Sequence, residues 1–255
     1  MHRFFVPPEL VSKIHTSIAL PKETAHQVRD VLRLQVSEQL ILLDNSGDEV
    51  LASVATMNKS SVEVYLQERR PGKSESLVRI ILCQGLLKSA RFEWILEKGT
   101  ELGVSTFSPI LCRRSMAGLE DAGAAKIARW KRIVQEAAEQ CGRSRIPDLL
   151  PIRPLMHALN DIPSGAIALM PWEEEHQMSL KSALLASSSS PQTDASPSPI
   201  TVVLFIGPEG GLLAEVVKLA QRFGVQPVSL GPRILRAETA ALTAVANVMY
   251  ELERW

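Results

Sequence analysis

From residue 77 onward, short and mostly apolar runs alternate with amphipathic segments, and this alternation admits few architectures. The apolar runs cover residues 78–83 (VRIILC), 106–112, 166–170, 202–206 and 225–230. Runs of this kind, with little polar alternation, are typical of strands that are buried on both faces. Because the segments between them have helical spacing, the sequence predicts an α/β fold with a parallel sheet and right-handed crossovers.

The predicted helices place apolar residues three or four positions apart, and they cover residues 91–102, 126–141, 212–223 and 238–252. Gly103, Gly142 and Gly224 follow the first three directly, as expected where a left-handed residue ends a helix. One segment, residues 187–199 (SSSSPQTDASPSP), departs from this pattern. Its Ser- and Pro-rich composition cannot bury a core, so we expect a flexible surface insertion between two strands.

Residues 1–72 have a different character, because their signals are those of short β segments. The predicted elements are strands at 41–43 and 62–66, a turn at 44–48 (DNSGD) and a short helix at 26–34. Residues 69–73 (RRPGK) are typical of a linker. The sequence therefore predicts two domains, a small β-rich one over 1–72 and an α/β one over 73–255.

Composition excludes several classes of protein. Cys83, Cys112 and Cys141 are widely spaced and form no Cys/His cluster, which argues against a disulfide framework and against a zinc site. No run of 18 apolar residues predicts a membrane helix, and the first residues lack the pattern of a secretory signal. These features predict a cytoplasmic chain with no metal and no membrane partner.

The charge is balanced overall but not along the chain. Lys and Arg number 28, and so do Asp and Glu, which gives a formal net charge of zero. Residues 73–150 nevertheless carry 13 basic and 9 acidic side chains. A basic excess of this kind suits phosphate groups, although a solvated helix face is the alternative interpretation.

Two glycine-containing loops near the C-terminus carry the strongest local chemistry. Residues 205–211 (FIGPEGG) and 230–236 (LGPRILR) each follow a predicted strand and precede a predicted helix. Glycines allow backbone N–H groups to approach a ligand closely, and a helix N-terminus adds a positive dipole. Open α/β sheets bind their ligands at the carboxyl ends of strands, so the two loops suggest two walls of one pocket.

Other glycine motifs do not describe these loops. The segment GPEGG is not the GxGxxG of dinucleotide-binding folds, and it lacks the GK[ST] of a phosphate-binding loop. No GxSxG nucleophile elbow is present in the chain. A tight turn is the alternative for GPEGG alone, but two such loops on successive strands are harder to explain as turns.

The two loops, extended to residues 230–240 (LGPRILRAETA), resemble those of the SPOUT methyltransferases. More narrowly, they are similar to the RsmE-type 16S ribosomal RNA (uridine-N3) methyltransferases. Further segments share the resemblance, namely residues 2–6 (HRFFV), 26–34 (HQVRDVLRL), 93–104 (EWILEKGTELGV) and 129–143. The resemblance runs in order along most of the chain.

The resemblance implies a PUA-like β-barrel that binds RNA over 1–72, followed over 73–255 by a SPOUT α/β domain with a C-terminal trefoil knot. It also implies a homodimer, with S-adenosylmethionine (SAM) as the cofactor bound in the knot. The cofactor-binding residues that it implies are Leu169, Met170, Pro171, Ile206, Gly207, Glu209, Gly210, Leu230, Gly231, Leu235, Arg236, Thr239 and Ala240. The insertion at 187–199 precedes these loops, so we expect it to leave the pocket intact.

The implied reaction is methylation of N3 of a uridine in 16S ribosomal RNA of the 30S subunit. The imide proton must be removed, and a cation near the uracil carbonyls would stabilise the anion that forms. Arg236 is the candidate for this cation, with a structural role in capping a loop carbonyl as its alternative. Glu209 and Glu238 are candidate proton acceptors or partners of the SAM amino group, although Glu238 is equally a first-turn helix acid.

Basic residues are the candidates for RNA capture, and as single residues they are equally typical of a solvated surface. The predicted RNA-binding residues are Arg3, Arg29, Arg33, Lys88, Arg91, Arg113, Arg114 and Arg143. Two other functions compete with the rRNA methyltransferase. One is a SPOUT/PUA protein that binds RNA without catalysis, and the other is a SPOUT methyltransferase that acts on tRNA.

Overall fold

The computed structural model describes residues 1–112, 123–188 and 199–253. Two compact units emerge from the contacts within the chain. The first unit contains Met1–Glu75 and Gln135–Ile146, and the second unit contains Ser76–Val134 and Pro147–Trp255. Each unit is built around its own sheet. Arg113, Arg114 and most of the predicted insertion (189–198) lie outside the described residues.

In the described chain, the first unit is built on a five-stranded sheet with the order β1-β3-β4-β5-β2. Its elements are β1 (His2–Phe5), β2 (Ser17–Ala19), α1 (Lys22–His26), β3 (Gln39–Leu43), β4 (Asp48–Met57) and β5 (Val62–Pro71). Strand β1 pairs in parallel with β3, and the other neighbours are antiparallel. Alternate residues of β4 and β5, such as Val50, Val62 and Val64, are buried in the core of this unit.

Two sequence predictions for this region are wrong in detail. The helix expected at 26–34 begins earlier, as α1 from Lys22, and continues as a π-helical segment over Gln27–Val31. The linker expected at 69–73 is largely strand, because Arg69 and Arg70 lie within β5. Their guanidinium groups form ion pairs with acidic residues of the adjoining hairpin, which extends β5 beyond the apolar residues used to predict it.

The second unit confirms the predicted α/β class. Across the described residues its sheet has seven strands, all paired in parallel, in the order β12-β10-β11-β6-β7-β8 with β9 also beside β7. Its elements are β6 (Val78–Gly85), α2 (Ser89–Glu101), β7 (Val104–Leu111), the first part of α3 (Ala124–Cys141), β8 (Asp148–Leu149), β9 (Arg153–Pro154), α4 (Leu155–Asn160), β10 (Ile167–Pro171), α5 (Leu180–Ser188), β11 (Ile200–Ile206), α6 (Ala214–Gln221), β12 (Gln226–Val228) and α7 (Ala237–Leu252). From Gln135 onward, α3 belongs to the first unit.

The predicted strands and helices of this unit are confirmed within a few residues at each end. Helices α4 and α5 are additional, because the sequence analysis assigned no element to residues 155–160 and 180–186. Ser187 and Ser188, placed in the insertion by composition, are the last residues of α5. Among the described residues, no helix is both long enough and apolar enough to cross a membrane.

Candidate active site

Four loops leave the same edge of the parallel sheet in the second unit. Strands β12, β10, β11 and β6 are consecutive neighbours, so their carboxyl ends lie side by side. The loop after β11 is the predicted FIGPEGG segment, and the loop after β12 is the predicted LGPRILR segment. This is the edge at which open parallel sheets bind ligands.

The backbone of the loop after β11 packs too closely to its neighbours to accommodate side chains at three glycines. A Cβ at Gly85, the last residue of β6, would lie 2.6 Å from Pro208 N. A Cβ at Gly207 would lie 2.9 Å from Leu212 Cγ. At Gly211, where φ is +70°, a Cβ would lie 2.6 Å from Glu173 Oε1 in the loop after β10. The glycines therefore permit close contact among three loops.

Gln84, the residue before Gly85 in β6, contacts the same loop, and it was not predicted from the sequence. It is 1% exposed, and its Nε2 donates hydrogen bonds to the carbonyl oxygens of Gly85 (2.9 Å) and Gly207 (3.4 Å). Its Oε1 is buried and has no hydrogen-bond partner among the described residues. The available signal was a polar residue directly after the apolar run VRIILC, at the end of a buried strand.

The loop after β12 is held by the segment that follows β10. The Trp172 N–H donates to Val228 O (3.0 Å), and Ser229 N–H donates to Met178 O (2.8 Å). Ser229 Oγ accepts a hydrogen bond from the N–H of Gly231, whose φ of +115° is in the left-handed region that favours glycine. Two chain segments therefore fix the start of this loop.

The residues implied for cofactor binding all lie along this edge. Leu169, Met170, Pro171 and Ile206 are buried at the ends of β10 and β11. Gly207, Leu230, Leu235 and Ala240 are half-buried, and Gly210, Gly231, Arg236 and Thr239 are exposed. Apolar walls, exposed backbone amides and a helix N-terminus are the groups that an adenosine moiety with a charged amino-acid tail requires.

Arg91 brings the two candidate catalytic carboxylates together. Its Nη1 lies 3.3 Å from Glu209 Oε1, and its Nε lies 3.7 Å from Glu238 Oε1. The N–H of Lys88 also donates to Glu209 Oε1 at 3.3 Å. Glu238 Oε2 is buried without a hydrogen-bond partner in the part of the chain that the structure describes. Both carboxylates are therefore restrained by the β6–α2 junction.

Arg236, the candidate cation, is the residue before the first turn of α7. Its carbonyl accepts the N–H of Ala240 at 2.8 Å, which begins the helix. Its side chain is exposed and forms neither an ion pair nor a hydrogen bond with the described residues. An exposed guanidinium without a partner in the described structure is available to bind a substrate.

The candidate RNA-binding residues differ in their exposure and in their ion pairs. Lys88 and Arg33 are exposed, and Arg33 has φ of 55°. In the first unit, Arg29 pairs with Asp30 at 2.6 Å and Arg3 pairs with Glu49 at 3.2 Å. The Asp30 pairing, reinforced by His26, lowers the pKa of its carboxyl to about 2.

Arg143 is buried rather than presented to solvent. Its guanidinium pairs with Glu75 at 2.8 Å, within the first unit, and the residue is 7% exposed. This placement indicates that Arg143 joins the two segments of the first unit and is poorly suited to contact a phosphate.

The cysteines have no place in the chemistry of this edge. Burial raises the pKa of the Cys83 thiol to about 12, and burial likewise raises the pKa of Cys112 to about 12. Both thiols are therefore protonated at neutral pH and are weak nucleophiles. Within the described chain, no group of three or more His, Cys, Asp or Glu side chains is arranged to hold a metal ion.

This chain is similar to known proteins over most of its length. Residues 74–249 match the family described as the RNA methyltransferase domain. The ribosomal RNA small subunit methyltransferase E of Bacillus subtilis (strain 168) is 32% identical, covering 99% of this chain and 98% of that relative.

Two solved structures are similar over nearly the whole chain. The ribosomal RNA small subunit methyltransferase E of Neisseria gonorrhoeae, bound to S-adenosyl methionine, has a TM-score of 0.84 at 29% identity, covering 99% of this chain and 98% of that one. A putative methyltransferase of Legionella pneumophila, in complex with SAM, has a TM-score of 0.81 at 29% identity with the same coverage. The resemblance read from the glycine loops is thus confirmed, and the chain belongs to the RNA methyltransferase family that includes the ribosomal RNA small subunit methyltransferases E.

Proposed function

We propose that this chain is a SAM-dependent methyltransferase that modifies N3 of a uridine in 16S ribosomal RNA of the small ribosomal subunit. The observation that carries the proposal is the convergence of four chain segments at one sheet edge. The end of β6 and the loops after β10 and β11 pack closely around glycines, and the loop after β12 is hydrogen-bonded to the segment after β10. Relatives similar over their whole length are ribosomal RNA small subunit methyltransferases, and solved neighbours hold SAM.

The residues present fit this cofactor. Gly207 and Gly211 leave room where a Cβ would collide with Leu212 or Glu173, and Leu169, Met170 and Ile206 supply apolar walls. The other residues proposed to hold it are Pro171, Glu209, Gly210, Leu230, Gly231, Leu235, Arg236, Thr239 and Ala240. Bound SAM supplies a methyl group on a positive sulfur, so the protein's task is mainly positioning and proton removal.

The chain's own residues then have separate roles. Arg236 stabilises the negative charge that develops on the uracil carbonyl oxygens as the imide proton leaves. Glu209 or Glu238 accepts that proton, or binds the cofactor's amino group. Lys88, Arg33, Arg113 and Arg114 contact RNA phosphates. The other four basic residues proposed from the sequence, Arg3, Arg29, Arg91 and Arg143, form ion pairs with carboxylates.

The architecture proposed with this function is a PUA-like RNA-binding barrel over 1–72 and a SPOUT domain over 73–255 with a trefoil knot formed by its C-terminal loops. The return of β12 to the far side of β10 supports a deep crossing of the chain in this region. We further propose a homodimer that acts in the cytoplasm on the 30S subunit. Ile234 and Tyr250, 86% and 88% exposed, are apolar surface that a second copy would cover.

Calorimetric titration of SAM and S-adenosylhomocysteine into the purified chain tests the cofactor site. We expect saturable binding of about one ligand per chain, lost in Gly207→Val because the loop cannot accept the side chain. Labelled SAM with 30S subunits should then yield 3-methyluridine. Binding without transfer would favour a non-catalytic RNA-binding protein, and transfer to tRNA alone would favour the tRNA enzyme.

A further inference from the structure

We propose that Arg91 is a positioning residue for methyl transfer, which holds Glu209 and Glu238 in one arrangement, and that it is not a contact to RNA phosphate. This inference rests on the function proposed above. It reassigns a residue that the sequence alone grouped with the RNA-binding cations. The juxtaposition of three elements, α2, the loop after β11 and α7, carries the argument.

The guanidinium of Arg91 is already engaged on two sides. Its Nη1 contacts Glu209 at 3.3 Å and its Nε lies 3.7 Å from Glu238, so a phosphate that approached these two nitrogens would compete with a carboxylate. The carboxylates are also less exposed than the guanidinium, with side chains 23% and 16% exposed against 42%. Ion pairs gain strength as their partners leave water. The contact is therefore better suited to holding the carboxylates than to capturing RNA.

The contact also brings three charges together. Arg91 is the cation shared by the carboxylates of Glu209 and Glu238, and these two carboxylates repel one another when that cation is removed. Glu238 Oε2 is buried and has no hydrogen-bond partner among the described residues, so the ion pair of Oε1 with Arg91 is the contact that orients this carboxylate. Without Arg91, we therefore expect both carboxylates to leave this arrangement.

The test compares Arg91→Met and Arg91→Lys in the full chain, with kcat and KM measured for 30S subunits. We expect Arg91→Met to lower kcat by about tenfold, because the two carboxylates are no longer held in one arrangement. The KM for 30S subunits should stay within about twofold, because no phosphate contact is removed. Arg91→Lys keeps the positive charge but lacks the several N–H donors of the planar guanidinium, so it should recover part of the lost activity.

A double variant shows whether Arg91 acts through Glu209. Arg91→Met combined with Glu209→Gln should be no slower than the slower single variant, because residues that act as a unit are not additive. Arg129→Met is the matched control. Arg129 pairs with a single carboxylate, Glu93, at 2.8 Å in the same unit, and its removal should leave kcat unchanged.

Two results would overturn the positioning role. One is an unchanged kcat with a several-fold higher KM and a weaker dependence on salt, which is the behaviour of a phosphate contact. The other is wild-type kinetics in every Arg91 variant. If Arg91→Met does not fold, as judged by circular dichroism, Arg91→Lys decides between the same outcomes. A wild-type chain that neither binds SAM nor methylates RNA would instead contradict the proposed function itself.

Discussion

Glu75 and Arg143, 68 residues apart in sequence, form an ion pair that ties the two segments of the first unit together. The distance from Arg143 Nη2 to Glu75 Oε2 is 2.8 Å, and Glu75 Oε1 accepts the backbone N–H groups of Ser144 and Arg145. The Glu75 carboxylate therefore joins the first segment of the unit to the end of its second segment, Gln135–Ile146. Gly72 packs against Ser144 in the same place, with no room for a Cβ.

Removal of Glu75 should destabilise the chain without touching the candidate site. Glu75→Gln leaves the Arg143 guanidinium largely buried without its charged partner, and we expect a loss of about 3 kcal/mol in the free energy of unfolding. Urea denaturation followed by circular dichroism measures it. The exposed Lys73→Met, two residues away, should change the free energy by less than about 0.5 kcal/mol. Equal stability of both variants would show that the ion pair contributes little.

Gly211→Ala should weaken SAM binding by about tenfold, because an alanine at φ of +70° strains the loop after β11 by about 1–2 kcal/mol. Isothermal titration measures the Kd. Glu173 Oε1 would lie 2.6 Å from the added Cβ, but it is the end of a flexible side chain and can move aside. The double variant Gly211→Ala with Glu173→Ala should therefore bind SAM no more tightly than Gly211→Ala alone.

Gly224→Ala is the control for that strain. Gly224 has φ of +79° but nothing within 4 Å of its Cβ position, and it follows α6 at the end remote from the loops. We expect it to lower thermal stability and to leave the Kd for SAM unchanged. A Kd that changes equally in both alanine variants would mean that backbone strain acts globally and not through the loop.

Arg236→Ala should abolish most turnover and leave SAM affinity largely intact. The exposed guanidinium has no partner in the described structure, so its loss costs no contact within the fold. Removing one stabilising donor from a developing anion typically lowers kcat by about 10²–10³-fold. Single-turnover methylation of 30S subunits measures the rate. Arg233→Ala, three residues earlier and also exposed, should keep normal turnover, and normal turnover in Arg236→Ala would remove Arg236 from the mechanism.

Stability should fall in acid partly through Glu49. Burial alone would raise the pKa of its carboxyl, but hydrogen bonds from Arg70 and Arg3 outweigh burial and hold that pKa below its usual value of 4.5. The folded pKa is therefore the lower one, so the stabilisation is fully present above pH 4.5 and is lost as the pH falls through the folded value. Urea denaturation from pH 7 to pH 3 should show a smaller decline in Glu49→Gln than in the wild type. Parallel declines would assign the acid sensitivity to other carboxyl groups.

The sequence was most informative where the signal is local. Buried strands appear in the sequence as apolar runs, so the α/β class could be predicted. The glycines after β11 and β12 mark close turns at the ends of two strands, so the candidate edge could be predicted as well. The C-terminal end of β5 could not, because Arg69 and Arg70 extend the strand through ion pairs with residues more than twenty positions away.

The sequence could not show the ion pairs of charged residues whose partners lie far away along the chain. Arg143 looks like a surface cation in sequence, and only the folded chain places Glu75 against it. Arg91 likewise reads as an RNA contact until Glu209 and Glu238 are brought to it from 118 residues away and beyond. The position of Gln84 after an apolar strand does not predict that its side chain donates to the carbonyl oxygen of Gly207. Spacing along a helix or strand carries no information about such pairs.

The pairing of β6 with β11 has a consequence for biosynthesis. Gln84 and Gly207 are 123 residues apart, and β12 must still be added at the far edge after β11 is in place. Contacts of such long sequence separation close slowly, since loop-closure entropy must be overcome before they form. A nascent chain on the ribosome therefore exposes the apolar strands of the second unit until β11 and β12 have emerged, and the candidate edge cannot assemble before then. We expect the protein to depend on chaperones during synthesis more than its modest length suggests.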